Sequence, residues 1–167
     1  EYIEKNKGNL EDFVVIGGKR SGDTPTKDEY CLIPRFNISG SCGSGSIIDN
    51  IDIKGGLVFS QDWIDAHNLN ENSLVVISAI GDSMYPTIEN EQVLLVDTSD
   101  KTIKSSKIYF LCIDGEHYIK RLINISTHWV VRSDNPDKNQ YPDIEISSSN
   151  MNLIQIEGRV VWRGGSL

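Results

Sequence analysis

Cysteine is scarce in this chain of 167 residues, which has only Cys31, Cys42 and Cys112. An odd number of cysteines without CxxC spacing excludes a paired disulfide framework and predicts reduced thiols in a reducing compartment. Long hydrophobic runs are also missing, since none approaches the roughly 18–20 apolar residues that cross a bilayer. The charged stretch from Glu1 to Gly8 does not have the pattern of a signal peptide. We therefore expect a cytoplasmic protein with no membrane contact.

Positive charge is in short supply, with 16 Lys and Arg against 24 Asp and Glu and a formal net charge of −8. Phosphate backbones repel an acidic surface, so we do not expect this chain to be the part of a protein that grips DNA. The three histidines, His67, His117 and His128, do not have the spacing of metal ligands. The sequence therefore predicts neither a metal site nor a cofactor.

Short runs rich in Val, Ile, Tyr and Trp predict a mainly β fold with one or two short helices. Asp114-Gly115 separates two of these runs and predicts a tight hairpin turn. Ser60 is placed to cap a short helix that ends near His67. The predicted strands are Leu74 to Ile80, Gln92 to Val96, Lys107 to Ile113, His117 to Leu122, His128 to Arg132 and Ile154 to Trp162, with an extended segment from Cys31 to Phe36.

The first part of the chain has a different composition. Residues 1–30 are polar and rich in Gly, Lys and Asp, which predicts a linker with one short strand from Phe13 to Ile16. Residues 39–46 consist almost entirely of Ser and Gly around Cys42. Because Gly is costly to order and Ser competes for backbone hydrogen bonds, we expect this stretch to be exposed and mobile.

Ser83 lies in a turn, Gly81 to Thr87, that directly follows an apolar strand. Gly81 relaxes the backbone and Pro86 ends any continuation, so the serine and nearby N–H groups are expected at the surface. The N–H groups of Ser83 and Met84 are candidates to stabilise an oxyanion. Taken alone, the pattern also fits an ordinary turn serine.

Lys120 is the candidate base for such a serine, because no histidine has an evident acidic partner. The ordinary lysine pKa of about 10.4 leaves only about one amine in 2,500 neutral at pH 7, and burial lowers that pKa. Period-2 alternation places Tyr118, Lys120 and Leu122 on one face, where the amine is desolvated if that face is directed at the core. An edge-strand lysine that extends its amine into solvent remains the alternative.

Together these motifs resemble a known family. The run Gly81 to Thr87, then Val93 to Asp97, then Tyr118 to Leu122 looks like the peptidase domain of LexA, UmuD and phage repressors. Ser133-Asp134-Asn135-Pro136, the following Tyr141-Pro142 and the closing Gly158 to Gly164 resemble its phage-repressor branch. The resemblance extends from about residue 31 to the C-terminus, and only the loop between Pro136 and Tyr141 is longer than the common pattern.

The resemblance implies a compact, mainly β, β-clip-type LexA-like C-terminal domain with Ser83 as nucleophile and Lys120 as general base. It also implies self-cleavage between a small residue and glycine upstream of the serine. Cys42-Gly43 is the best match, with Ser39-Gly40 and Ser44-Gly45 as alternatives. The implied organisation is a linker over residues 1–30 left from a missing helix-turn-helix domain, a cleavage-loop region over 31–56, and the peptidase and dimerisation domain over 57–167.

Several functions stay open at this point. The first is the domain of a prophage-type repressor that dimerises, binds operator DNA only through the missing N-terminal domain, and cleaves itself when a RecA filament or an antirepressor protein induces it. The second is a dimerisation module that does not cleave and is inactivated by an antirepressor. The third is a polymerase subunit of the UmuD kind. A membrane-bound signal peptidase shares the dyad, but the missing membrane helix argues against it.

Overall fold

The computed structural model describes residues 15–16, 29–36, 38 and 53–164. No helix in this part of the chain has the length and apolar character needed to span a membrane.

Ten strands form one sheet within the described ranges, in the order β1-β3-β2-β4-β5-β10-β6-β7-β8-β9. All neighbouring strands are antiparallel except the pairs β1/β3 and β2/β4. The prediction of a mainly β domain is confirmed. The strands are β1 (Val15–Ile16), β2 (Tyr30–Phe36), β3 (Ile53–Ser60), β4 (Leu74–Ser78), β5 (Val93–Asp97), β6 (Lys107–Ile113), β7 (Glu116–Ile125), β8 (His128–Arg132), β9 (Ile144–Ser147) and β10 (Ile154–Gly164).

Helical structure in these ranges is limited to α1 (Gln61–Ala66) and two short 3-10 segments, Glu71–Ser73 and Ser148–Leu153. Ser60 caps α1 as expected, because its Oγ accepts a hydrogen bond from the Trp63 N–H at 3.1 Å. This bond satisfies one of the amides that the first helical turn leaves unpaired.

The Asp114-Gly115 hairpin prediction is also confirmed. Both residues have positive φ, +51° and +84°, as the tight turn between β6 and β7 requires. This turn fixes the β6/β7 register, which places Tyr109 opposite Lys120.

Two strands were not predicted. β3 contains Gly55-Gly56, which weakens its strand signal. A Cβ on Gly56 would lie 2.6 Å from the Ile33 carbonyl oxygen, so glycine is what allows β2 to approach this closely. β9 has only four residues and lies at the sheet edge, beside β8, with most of its side chains exposed.

The core consists of hydrophobic clusters on either side of the sheet. One contains Ile77, Met84 and Phe110, and it forms the floor beneath the Ser83 turn. Another contains Tyr109, Leu111 and Leu122, with Tyr118 packed against it. Successive residues of β6 and β7 thus alternate between the clusters.

The thiol prediction needs correction. Cys31 is free and buried, and burial raises its pKa to about 11. Cys112, in contrast, is disulfide-bonded. The expectation of reduced thiols throughout is therefore wrong for Cys112.

Candidate catalytic site

Ser83 lies in the loop between β4 and β5. Two backbone hydrogen bonds close the base of this loop, from Ala79 N–H to the Gln92 carbonyl and from Glu91 N–H to the Ala79 carbonyl, each at 2.9 Å. At the other end Gly81 has a φ of +81°, which suits glycine, and donates its N–H to Asn90 Oδ1 at 2.7 Å. Ser83 is thereby held on a fixed turn and is partly exposed.

The apolar residues of the turn point the other way. Met84 is 3% exposed and Ile88 is 1% exposed, and both pack into the core below. Within the described residues, neither the Ser83 nor the Met84 N–H donates a hydrogen bond. The role of these two groups as oxyanion donors stays a prediction.

Lys120 lies in the middle of β7, with Tyr109 of β6 opposite it. Its neighbours in the alternation, Tyr118 and Leu122, both pack into the Tyr109 cluster, as the period-2 pattern predicted. The Lys120 amine is 5.7 Å from the centre of the Tyr118 ring. Burial in these surroundings lowers the pKa of Lys120, and the positive charge of Lys138 lowers it further, while Asp143 acts in the opposite direction.

A short segment after β8 connects this lysine to the serine turn. The Lys120 amine donates a hydrogen bond to Ser133 Oγ at 2.8 Å. Two residues later, Asn135 donates its backbone N–H to the Ser83 carbonyl at 3.0 Å and its side-chain amide to the Asp82 carbonyl at 2.8 Å. The Ser83 turn and the Lys120 side chain therefore both form hydrogen bonds with the same three-residue segment, Ser133–Asn135.

Asp134, between the two, braces the segment. Its carboxylate accepts two hydrogen bonds from the Arg121 guanidinium, at 2.8 and 2.5 Å. Although burial acts to raise the pKa of Asp134, hydrogen bonds from Arg121 and Thr87 and the charge of Arg121 hold it below its ordinary value. Thr87 belongs to the serine turn, so Asp134 also joins this turn to β7.

A second lysine approaches Ser133 from the far side. Lys138 donates to the Ser133 carbonyl at 2.5 Å and forms an ion pair with Asp143 at 2.8 Å. It thus brings a positive charge, partly balanced by Asp143, close to the Lys120 amine.

A cleft of about 390 Å³ opens beside Ser83. β7 forms one wall, and its strand partners explain why that wall is open. β6 pairs with residues 116–122 of β7, whereas β8 pairs only with residues 121–125. Among the described strands, none covers the second edge of β7 from Glu116 to Lys120. The cleft is lined by Ile38, Ile77, Ser78, Ala79, Ile80, Gly81, Ser83, Met84, Ile88, Phe110, Glu116, His117, Tyr118 and Ile119.

The structure thus brings two predicted site residues, Ser83 and Lys120, to one connecting segment. The predicted cleavage residues Cys42 and Gly43, and the alternative bonds Ser39-Gly40 and Ser44-Gly45, lie outside the described residues. The sequence indicated Ser133 and Asn135 only as part of the family resemblance, and their contacts with Lys120 and the Ser83 turn were not predicted. Counting pairs back from a two-residue turn at Ser126-Thr127 would have placed Ser133 opposite Lys120, in the register that the β7/β8 hairpin adopts.

Comparison with known proteins identifies the family of this chain. The family model described as "Peptidase S24-like" matches residues 38–161. An uncharacterised HTH-type transcriptional regulator of Haemophilus influenzae is 33% identical over 135 residues, which cover 78% of this chain and 54% of that protein. The HTH-type transcriptional regulator PrtR of Pseudomonas aeruginosa is 29% identical over 145 residues, which cover 84% of this chain and 56% of that regulator. The chain spans about half the length of these curated relatives. Because the family match extends over most of the chain and includes both Ser83 and Lys120, the chain belongs to the Peptidase S24-like family.

Proposed function

We propose that this chain is the C-terminal domain of a LexA-like, phage-type transcriptional repressor, and that it cuts its own backbone with a Ser83–Lys120 dyad. The observation that carries the proposal is the half-buried Lys120 amine, whose pKa is lowered and which shares the Ser133–Asn135 segment with the Ser83 turn. The relatives named as HTH-type transcriptional regulators, about twice as long as the matched region, support the assignment to a repressor.

The reaction begins with proton transfer. The neutral Lys120 amine takes the proton of the Ser83 hydroxyl as its oxygen attacks the carbonyl carbon of the scissile peptide. The N–H groups of Ser83 and Met84 stabilise the negative charge on the former carbonyl oxygen. The Lys120 ammonium then returns a proton to the departing amine, which leaves an ester on Ser83. Water, deprotonated by Lys120, hydrolyses that ester and restores both side chains.

The substrate is the chain's own Cys42-Gly43 segment, held beside the dyad. An extended segment fits along the open edge of β7, because some of the backbone N–H and C=O groups of β7 face away from β6 and are available to a further strand. Ile77, Met84 and Phe110 provide apolar surface for its side chains. Since the substrate is tethered, positioning replaces diffusion and a modest nucleophile suffices.

Repression and its loss follow from this division of the protein. We propose that the domain dimerises in the cytoplasm and so places the two N-terminal DNA-binding domains of the full-length repressor on two operator half-sites. Cleavage separates these DNA-binding domains from the dimer. An inducer, such as a RecA filament or an antirepressor protein, accelerates the cut by favouring the docked state of the loop.

The test is self-cleavage of the pure chain at about pH 10, near the ordinary lysine pKa, followed by reduction of disulfides and mass measurement of the fragments. We expect two fragments that meet between Cys42 and Gly43, and no cleavage in the Ser83→Ala and Lys120→Ala variants. Ser99→Ala, which changes an exposed serine away from the cleft, is the matched control and should cleave like the wild type. A chain that stays intact at every pH yet self-associates would favour the dimerisation module that does not cleave.

A further inference from the structure

We propose that Ser133 is a positioning residue that aims the Lys120 amine at Ser83, so that the catalytic group is a serine–lysine–serine arrangement. This inference rests on the proposed function and deepens it. Ser133 is 1% exposed, and its hydroxyl oxygen lies 2.8 Å from the Lys120 nitrogen.

The backbone explains why Ser133 meets Lys120. In the β7/β8 ladder Arg121 pairs with Arg132, so Ser133 lies opposite Lys120, one residue beyond the end of the paired region. Opposite residues of an antiparallel pair project to the same face and lie close together. Ser133 itself is fixed from behind, because its carbonyl accepts a hydrogen bond from Lys138.

Positioning matters because a lysine side chain is long and flexible. The Lys120 amine has to direct its lone pair at the Ser83 hydroxyl, and free rotation would spread that lone pair over many directions. A hydrogen bond from one of its N–H groups to Ser133 restricts this rotation. The same segment holds the target, since Asn135 binds the carbonyls of Asp82 and Ser83. The Ser133 hydroxyl takes no proton in the reaction, because the proton passes directly from Ser83 to Lys120.

Ser133 also affects the protonation of Lys120. Its oxygen accepts a hydrogen bond from the charged amine, which favours the ammonium form. The other groups around the amine are Tyr118 on the same strand, Tyr109 on β6, and Lys138 and Asp143 beyond β8. Loss of the Ser133 oxygen should therefore move the midpoint of a pH–rate profile to lower pH.

The experiment compares pH–rate profiles of self-cleavage for the full 167-residue chain and its Ser133→Ala variant. We expect the plateau rate at high pH, where Lys120 is neutral, to fall about ten- to a hundredfold, and the midpoint to shift to lower pH. Ser133→Thr, which keeps the hydroxyl, should restore part of the plateau rate. An unchanged plateau, or a midpoint that moves to higher pH, would overturn the inference.

Ser60→Ala is the matched control, because Ser60 is also a buried serine, 6% exposed, and it caps α1 far from Lys120 in sequence. It should lower the Tm while leaving the plateau rate and midpoint of the folded protein unchanged. A Ser133→Ala variant that behaved the same way would have only a structural role.

A second readout does not depend on cleavage. In a Ser83→Ala background, the ionisation of Lys120 can be followed by NMR of ¹³C-labelled lysine. We expect Ser133→Ala to lower the Lys120 pKa in this background, and an unchanged titration would overturn the inference. The two failures are distinguishable. A wild-type chain that stays intact would contradict the proposed function, whereas a Lys120 titration that is the same with and without the Ser133 hydroxyl would contradict the positioning role.

Discussion

At the scale of single residues, the proposed mechanism depends on a lysine that is easier to deprotonate than usual. Burial lowers the pKa of Lys120, and the nearby charge of Lys138 lowers it further. A general base is effective when its pKa lies near the working pH. The rate of self-cleavage should therefore rise with pH and approach its plateau below the pH expected of an ordinary lysine.

Lys138→Gln tests the charge contribution. Removing a positive charge favours the Lys120 ammonium, and Asp143, which keeps its ion pair with Arg132 but loses the one with Lys138, acts in the same direction. The midpoint of the pH–rate profile should rise, so the rate at a fixed pH below the midpoint should fall roughly threefold. The profile measured by gel densitometry checks this.

The control is Lys104→Gln, which removes an equal charge from a lysine that is 56% exposed and paired with Asp100. It should leave the midpoint in place. A midpoint that fell in Lys138→Gln, or moved equally in both variants, would contradict the proposed influence of Lys138.

The sequence indicates only those candidate residues that stand in a recognisable local pattern. Ser83 follows a strand and precedes a proline, and Lys120 lies in an alternating strand. The contact of Ser133 with Lys120 was not predicted because it depends on which residue Ser133 faces across a hairpin, and register follows from the turn rather than from the strand itself.

At the scale of elements, the strands with a local sequence pattern were predicted, and those that depend on contacts across the sheet were not. β6 and β8 have the predicted bounds because each is rich in β-branched and aromatic residues. β3 was missed because two glycines interrupt it, and their role, close approach to β2, is only visible in the sheet. The segment Ser133–Asn135 likewise has no propensity signal, although it joins β7 to the serine turn.

Asp134→Asn tests this junction. At pH 7 the free energy of unfolding should fall by about 1–2 kcal/mol, since the substitution weakens charge-assisted hydrogen bonds to the partly buried Arg121. The pKa of Asp134 is lowered in the folded state, so its contribution is present above the ordinary pKa of about 3.8 and is lost as the pH falls through the lower folded value. The difference between variant and wild type should therefore shrink as the pH falls below the ordinary value of about 3.8.

Urea unfolding at pH 7 and in acid measures this difference in the free energy of unfolding. The control is Asp114→Asn, at an exposed turn position whose backbone conformation asparagine also accepts. It should change stability little at either pH. A deficit in Asp134→Asn that persisted in acid would show that its cause is not the charge of the carboxylate.

At the scale of the whole molecule, net charge bears on the proposed division of roles between dimerisation and DNA binding. The chain carries a formal charge of −8, and three of its arginines are already paired with carboxylates: Arg121 with Asp134, Arg132 with Asp143 and Arg159 with Asp100. Cations engaged in this way are poorly placed to replace the counterions of a phosphate backbone. This agrees with the proposal that the domain contributes to operator binding by joining two DNA-binding domains rather than by contacting DNA.

The 167-residue chain should therefore dimerise yet leave duplex DNA free. Light scattering at roughly tens of micromolar, a range in which a weak dimer is populated, should give twice the chain mass. The anisotropy of a labelled duplex should stay unchanged in about 50 mM salt, where electrostatic binding is strong. Binding that weakened steeply with added salt would reveal a basic surface and contradict this division of roles. A monomeric mass would contradict it as well, because cleavage can release the operator in the proposed way only if the domain is a dimer.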